Sequence, residues 1–219
     1  MRGKGLMPLA WGENGFRQLT NSKRPVLEPG DLSGMKVRVV GSPIFIDIFR
    51  ALGADPINMN WGDAVTAFQQ RVVDGQENPC GILLAVQIHQ YHKYVTYWNY
   101  VIDPLVLYWN KKQFDAFPPK IQQAIRDAAQ EAGRYQKALA RAGLDGDASL
   151  AILKDEFGMT PEIPDPTKHL QEHGAEIARP SPAQIKAFKK TVSAVRTEWE
   201  KRIGEEIMSA ARADLEGSE

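Results

Sequence analysis

The sequence predicts an α/β fold, a sheet covered by helices. Three observations carry it. From residue 36 to about residue 109, short apolar extended runs alternate with segments of helical period, in the order strand, helix, strand, helix, strand. The second half carries apolar residues at four- and three-residue spacing over stretches far too long for strands. Gly, Pro and Asn fall at the joints between these segments, where turns and helix ends need them.

Lys36-Val37-Arg38-Val39-Val40 reads as a buried strand, and Gly41-Ser42-Pro43 as the turn into a helix with Pro at its first position. Before it, Leu6 to Trp11 reads as a strand interrupted at Pro8. Gly12 to Gly15 reads as a turn, Phe16 to Thr20 as an alternating strand, and Asn21 to Gly34 as a surface connection. After it, Pro43 to Leu52 is a helix closed by Gly53, and Pro56 to Met59 a short strand. Asn60 is placed to cap the next helix with Asp63 in a capping-box arrangement, and Val65, Phe68 and Val72 point to a core. Gln76 to Pro79 is polar and extended, Ile82 to His89 a short helix, Tyr91 to Trp98 a strand. Tyr100 to Trp109 is an apolar extended run broken at Asp103-Pro104.

Pro119 to Ala142 is one long amphipathic helix, bent off at Gly143 and Gly146 before Leu150, Leu153 and Phe157 continue the pattern. Met159 to Ile163 is a weak strand. Ser181-Pro182 opens a last helix, with a stripe from Ile185 through Phe188, Val192, Val195, Trp199 and Ile203 to Ile207. The aromatic and isoleucine mix of that stripe suits packing on a sheet better than a coiled coil.

Composition excludes several functions. The chain has 219 residues, 43% hydrophobic, with 27 basic and 27 acidic side chains. A zero net charge is not that of a general nucleic-acid binder. One cysteine, Cys80, permits no internal disulfide and no cysteine-based zinc site. His89 with His92, and His169 with His173, have helical spacing, but neither pair has the glutamate and third ligand of a zincin, so both read as surface or structural. No phosphate loop, nucleophile elbow or dinucleotide fingerprint occurs, and no catalytic residue, metal or cofactor is expected. No apolar run reaches the 18 residues of a membrane span, and the start of the chain does not read as a signal peptide.

Four positions could carry chemistry. Arg38 and Arg17 lie in expected strands, Trp61 at the start of a helix, and Asn78 in the polar extended segment. An arginine in an apolar strand is costly unless it meets an acceptor, because guanidinium keeps its charge. Arg38 therefore either pairs inside the protein or awaits an anion. Guanidinium matches both carboxylate oxygens, an amide orients, and an aromatic excludes water. Each has a plainer reading: Trp61 as core, Asn78 as a turn residue before Pro79, Arg17 as surface. From the residues alone the chain is an α/β domain with a possible anion site.

The segments Gly15-Phe16-Arg17-Gln18-Leu19-Thr20-Asn21, Met35-Lys36-Val37-Arg38-Val39, Gly41-Ser42-Pro43, Ala51-Leu52-Gly53-Ala54, Ala67-Phe68-Gln69-Gln70 and Val72-Val73-Asp74-Gly75-Gln76-Glu77-Asn78-Pro79 resemble the substrate-binding proteins of TRAP transporters, the DctP type. The resemblance extends through Pro104-Leu105-Val106 and the long helix. It implies a fold like the type II periplasmic binding proteins. In such a two-lobed receptor, closure traps an organic acid in the periplasm and hands it to a sodium-driven membrane permease. It places the carboxylate anchor on Arg38, a second arginine on Arg17, the amide on Asn78 and the packing aromatic on Trp61. Cys80-Gly81 departs from the larger residues expected there.

The resemblance also implies an N-terminal truncation, with the signal peptide and most of the first lobe missing. Residues 1–102 then correspond to the second lobe, 103–146 to an interlobe strand and spanning helix, and 147–219 to C-terminal helices. Periplasmic location follows from the resemblance; without a signal peptide the chain as written would stay in the cytoplasm. Loss of the first lobe would expose apolar surface on Tyr100 to Phe117 and on the long helix. That implies weak ligand binding and self-association. The alternatives are a non-binding remnant and, less favoured, an enzyme on the same fold.

Overall fold

The computed structural model describes the backbone of residues 2–216 and the side chains of residues 3–215. The elements begin with β1 (Leu6–Asn21), β2 (Lys36–Val39), α1 (Pro43–Ala51), β3 (Asp55–Asn58), α2 (Trp61–Gln69), β4 (Gly75–Pro79), α3 (Cys80–Ala85) and β5 (Tyr94–Thr96). They continue with β6 (Ile102–Asn110), α4 (Lys111–Asp115), α5 (Pro119–Arg141), α6 (Ala148–Phe157), α7 (Pro166–Glu172), β7 (Glu176–Ala178), α8 (Pro182–Thr191), α9 (Ser193–Ile203) and α10 (Glu205–Glu216). The chain forms two compact units. One comprises Met1–Gln18, Asn78–Gln90 and Asn99–Ala175; the other comprises Leu19–Glu77, Tyr91–Trp98 and Glu176–Glu219.

The first unit is built on an antiparallel ribbon. β1 runs unbroken for 16 residues and pairs with β6 from Leu6 opposite Asn110 to Phe16 opposite Ile102. The expected turn at Gly12 to Gly15 is instead an irregularity inside the strand. The register slips between Pro8 and Ala10 and again between Glu13 and Gly15. Pro8 has no N–H for the ladder, and Gly15 takes the positive φ of 103° that the second slip requires. β6 is likewise continuous through Asp103-Pro104, on a ribbon edge where proline is tolerated.

α5 is fastened to the slipped part of β1. Glu13 N–H donates to Gln136 Oε1 at 2.9 Å, Gln136 Nε2 returns a bond to Glu13 O at 2.6 Å, and Arg141 grips both Glu13 carboxylate oxygens. Gly133 permits the close approach: a Cβ there would lie 2.9 Å from Trp11 O. α6 packs back on α5 through Ala138, Ala142 and Leu153. The strand expected at Met159 to Ile163 is absent. That stretch is irregular and leads into α7, which Asp165 caps by accepting from Lys168 N–H at 2.9 Å. The outer part of the ribbon is unusually apolar for exposed surface, with Trp11, Leu105, Leu107, Tyr108 and Trp109 all open to solvent.

The second unit is an α/β sheet in the order β3-β2-β4-β1-β5-β7, with β2 parallel to β3 and β4. β1 enters with Leu19 to Asn21, antiparallel to β5, and β5 lies parallel to β7. Val37 and Val39 are fully buried, as is Phe49 of α1, whose ring meets Trp98 edge-on at 5.9 Å; Trp98 in turn meets Phe188 of α8 at 5.2 Å. α2 buries Ala64, Ala67 and Phe68, while Val72 lies outside. Asn60 is the N-cap of α2, yet its side chain makes no capping bond, so the expected box does not form.

The expected single last helix is three. Ser181 and Gln184 form a true capping box on α8, but the chain breaks at Val192 and again at Gly204, with a φ of 94°. The α9 part of the broken stripe packs on α1, and Trp199 Nε1 donates to Asp47 Oδ2 at 2.9 Å. Among the described residues no helix is long and apolar enough to cross a membrane.

Candidate functional site

The four site residues fall into two clusters, one in each unit. In the second unit, β2 has neighbours on both sides, so Arg38 enters the structure from a central strand and is only 3% exposed. Its Nε and NH2 both donate to Met59 O, at 3.0 and 2.8 Å. Met59 follows β3, so the parallel pairing of β2 with β3 delivers this carbonyl to the guanidinium. The Arg38 Cζ lies 5.4 Å from the centre of the Trp61 ring, within cation–π range. Trp61 opens α2 and is 37% exposed, touching Phe68 edge-on at 6.4 Å. The core reading of Trp61 is therefore wrong: its ring stands half open over a buried cation.

In the first unit, Arg17 is 3% exposed, which overturns the surface reading. Its NH1 pairs with Asp103 Oδ2 at 2.5 Å, and its NH2 donates to Asn78 Oδ1 at 3.1 Å. Asn14 Nδ2 donates to the same Asp103 oxygen at 3.2 Å. Asn78 lies in β4, a strand of polar residues that is buried throughout. Asp103 reads from the sequence only as a break in an apolar run. The usable signal is its charge at a strand position beside Pro104, in a segment with no other charged side chain.

The remaining polar groups are structural in character. Gln76 Nε2 donates to Thr20 Oγ1 at 2.8 Å, and Thr20 Oγ1 meets His92 Nδ1 at 2.9 Å. His92 is 1% exposed and its ring lies tilted against Phe68; burial pushes its pKa down to about 4, against the pull of the Asp74 charge. The two sequence pairs of histidines regroup. His92 goes to this chain of hydrogen bonds, while His89, His169 and His173 gather with ring centres 4.2 to 6.1 Å apart. Partial burial, then the nearby His173 and His169, lower the pKa of His89. Among the described residues no three His, Cys, Asp or Glu side chains are placed to hold a metal ion. Cys80 is a buried thiol.

The sequence model of the bacterial extracellular solute-binding proteins, family 7 (DctP), matches residues 1–154, which run from the β1 ribbon through α5 into α6. The chain belongs to this family. Among family 7 relatives, the 2,3-diketo-L-gulonate-binding periplasmic protein YiaO of Escherichia coli is 40% identical over 139 residues, 64% of this chain and 42% of that protein. The C4-dicarboxylate-binding periplasmic protein DctP of Rhodobacter capsulatus is 26% identical over 97% of this chain and 58% of its own length. A solved TRAP periplasmic solute-binding protein from Ralstonia eutropha, with bound (S)-2-hydroxy-2-methyl-3-oxobutanoate, is 39% identical at a TM-score of 0.86. That match covers 97% of this chain and 63% of the other.

The α/β architecture with its long helix and several C-terminal helices is thus that of the TRAP solute-binding proteins. These relatives are binding proteins rather than enzymes. The chain spans less than half of the Escherichia coli protein and somewhat under two thirds of the Ralstonia one.

Proposed function

We propose that this chain is the binding part of an extracytoplasmic TRAP receptor, which takes up an organic acid by its carboxylate in the periplasm and passes it to a membrane permease. The observation that carries the reading is Arg38: a guanidinium fixed on a central strand, oriented by a backbone carbonyl, beneath a half-open indole. A planar fork held in this way is pre-set for a carboxylate. Trp61 would pack on the ligand; Arg17 and Asn78, the other two positions that the family resemblance assigns to the ligand, lie together in the first unit. The ligands of two relatives, 2,3-diketo-L-gulonate and (S)-2-hydroxy-2-methyl-3-oxobutanoate, both carry an oxygen on the carbon next to the carboxylate. That favours a 2-oxo or 2-hydroxy acid as the substrate class.

Calorimetric titration of the chain with a panel of such acids tests this. At least one is expected to bind with one-to-one stoichiometry and a Kd weaker than about 1 μM, about −8 kcal/mol. Weak binding is expected because the solved relatives carry further chain that would help to desolvate the ligand. No heat with any acid at millimolar concentration would leave a non-binding remnant; submicromolar affinity would overturn the expected weakness.

The open apolar residues Trp11, Leu105, Leu107, Tyr108 and Trp109 support a second expectation, self-association of the chain through the ribbon. Light scattering should show mass rising with concentration; a monomer at millimolar concentration would end that reading.

A further inference from the structure

We propose that His89, His169 and His173 form a site for Zn²⁺, and that the ion ties α7 to the turn that follows α3. The proposal stands apart from the carboxylate reading. All three side chains belong to the first unit. His89 sits in the single helical turn Ile88–Gln90, His169 lies on α7, and His173 is the C-cap residue of α7, one turn further on. The fold thus assembles a set of three that neither sequence pair contains.

The spacing is that of a ligand set. Three imidazole nitrogens at about 2.0–2.1 Å from a tetrahedral zinc ion keep their ring centres about 5 Å apart. Here the centres of His169 and His173 are 4.2 Å apart, those of His89 and His173 4.9 Å, and those of His89 and His169 6.1 Å. As placed, the rings stack rather than converge: the planes of His169 and His173 are 30° apart, and the three do not yet form a cage. Closing on an ion takes turns about side-chain bonds alone, and His173 is exposed enough to swing. The backbone beneath is fixed, because α7 packs on α3 and Leu83, Ile88 and Leu170 are fully buried.

Two of the rings are prepared for a metal. His173 Nδ1 lies 2.8 Å from the carbonyl oxygen of His169. A carbonyl only accepts, so Nδ1 donates its proton there and the lone pair stands on Nε2, the arrangement usual for a ligating histidine. His89 Nδ1 is buried and makes no hydrogen bond. A polar atom in that position costs stability, and a metal bond to this ring would offset the cost. Three imidazoles with a water as fourth ligand suit Zn²⁺; Mg²⁺ and Ca²⁺ require oxygen donors.

Calorimetric titration of the full chain with ZnCl2 at pH 7.5 tests this. One ion per chain is expected, with a Kd tighter than about 10 μM, and no heat with MgCl2. His89→Gln and His173→Gln should each weaken Zn²⁺ binding at least about tenfold, since loss of a ligand costs no less than loss of an outer-sphere partner. His173 is exposed, so its variant tests the site without touching the core. A hundredfold excess of Zn²⁺ over Kd should raise the melting temperature of wild type by about 5–10 °C, and that of neither variant. Binding within about twofold of wild type in His89→Gln overturns the inference, because the ion then needs only the pair on α7. Absence of Zn²⁺ binding by wild type at about 1 mM overturns it as well.

Discussion

Replacing Arg38 with alanine is expected to weaken carboxylate binding by about 2–5 kcal/mol, roughly thirtyfold to several thousandfold. The size follows from its setting. The guanidinium is 3% exposed, so a carboxylate reaching it is withdrawn from water and gains a charge-assisted, two-pronged contact. Arg38→Lys keeps the charge but not the fork, and should recover only part of the loss. Both variants also take donors away from the Met59 carbonyl, and the alanine leaves a void beside the valines of β2. A fall in thermal stability will accompany the binding loss, so affinity must be compared below each variant's melting range. Unchanged affinity in a folded Arg38→Ala protein would remove the anchor from the proposal.

Lowering the pH from 6.5 to 4 is expected to cost about 3 kcal/mol of stability through His92 alone. Its folded pKa is depressed to about 4, against an ordinary 6.5. In that window the unfolded chain binds a proton that the folded protein refuses. The contribution is fully present above pH 6.5, declines as the pH falls, and is exhausted below about 4. Urea titrations at pH 7.5 and 4.5 would read it. His89, also depressed, adds a smaller slope of the same sign from a more open position. His92→Gln should therefore flatten most of the profile; an unaltered slope in that variant would assign the effect elsewhere.

Much of the second unit was legible because its signals are local. β2, α1 and β3 announce themselves by β-branched runs, Pro43 at a helix start and Gly53 at a helix end, which has a φ of 85°. The ribbon was not, because its cause is remote. Gly12 to Gly15 has turn chemistry, and only pairing with residues about ninety positions later keeps it extended. The last helix was over-read, since a regular apolar stripe continues through Val192 and Gly204 while the backbone does not.

The site shows the same division. Arg38 could be picked out because a charge among valines demands an explanation. Asp103 carries the same kind of signal, a lone charge in an apolar run, but its partner does not show, because that partner is Arg17, 86 positions away. Likewise Gln76 to Asn78 reads only as polar and extended, and nothing in its residues announces burial. It is buried because partners such as Thr20 satisfy those polar groups across the fold.

The interleaving of the two units governs how the protein can be made. The chain passes from one unit to the other after Gln18, Glu77, Gln90, Trp98 and Ala175. No single cut in the coding sequence releases either unit whole. During synthesis the long strand at the beginning must wait for β6, and the sheet of the second unit lacks its edge until β7 has left the ribosome. Folding of this kind, dominated by distant pairings, is slow to nucleate and leaves apolar strands open meanwhile. Yield in recombinant expression should thus depend on growth temperature and chaperone supply more steeply than the size of the chain suggests.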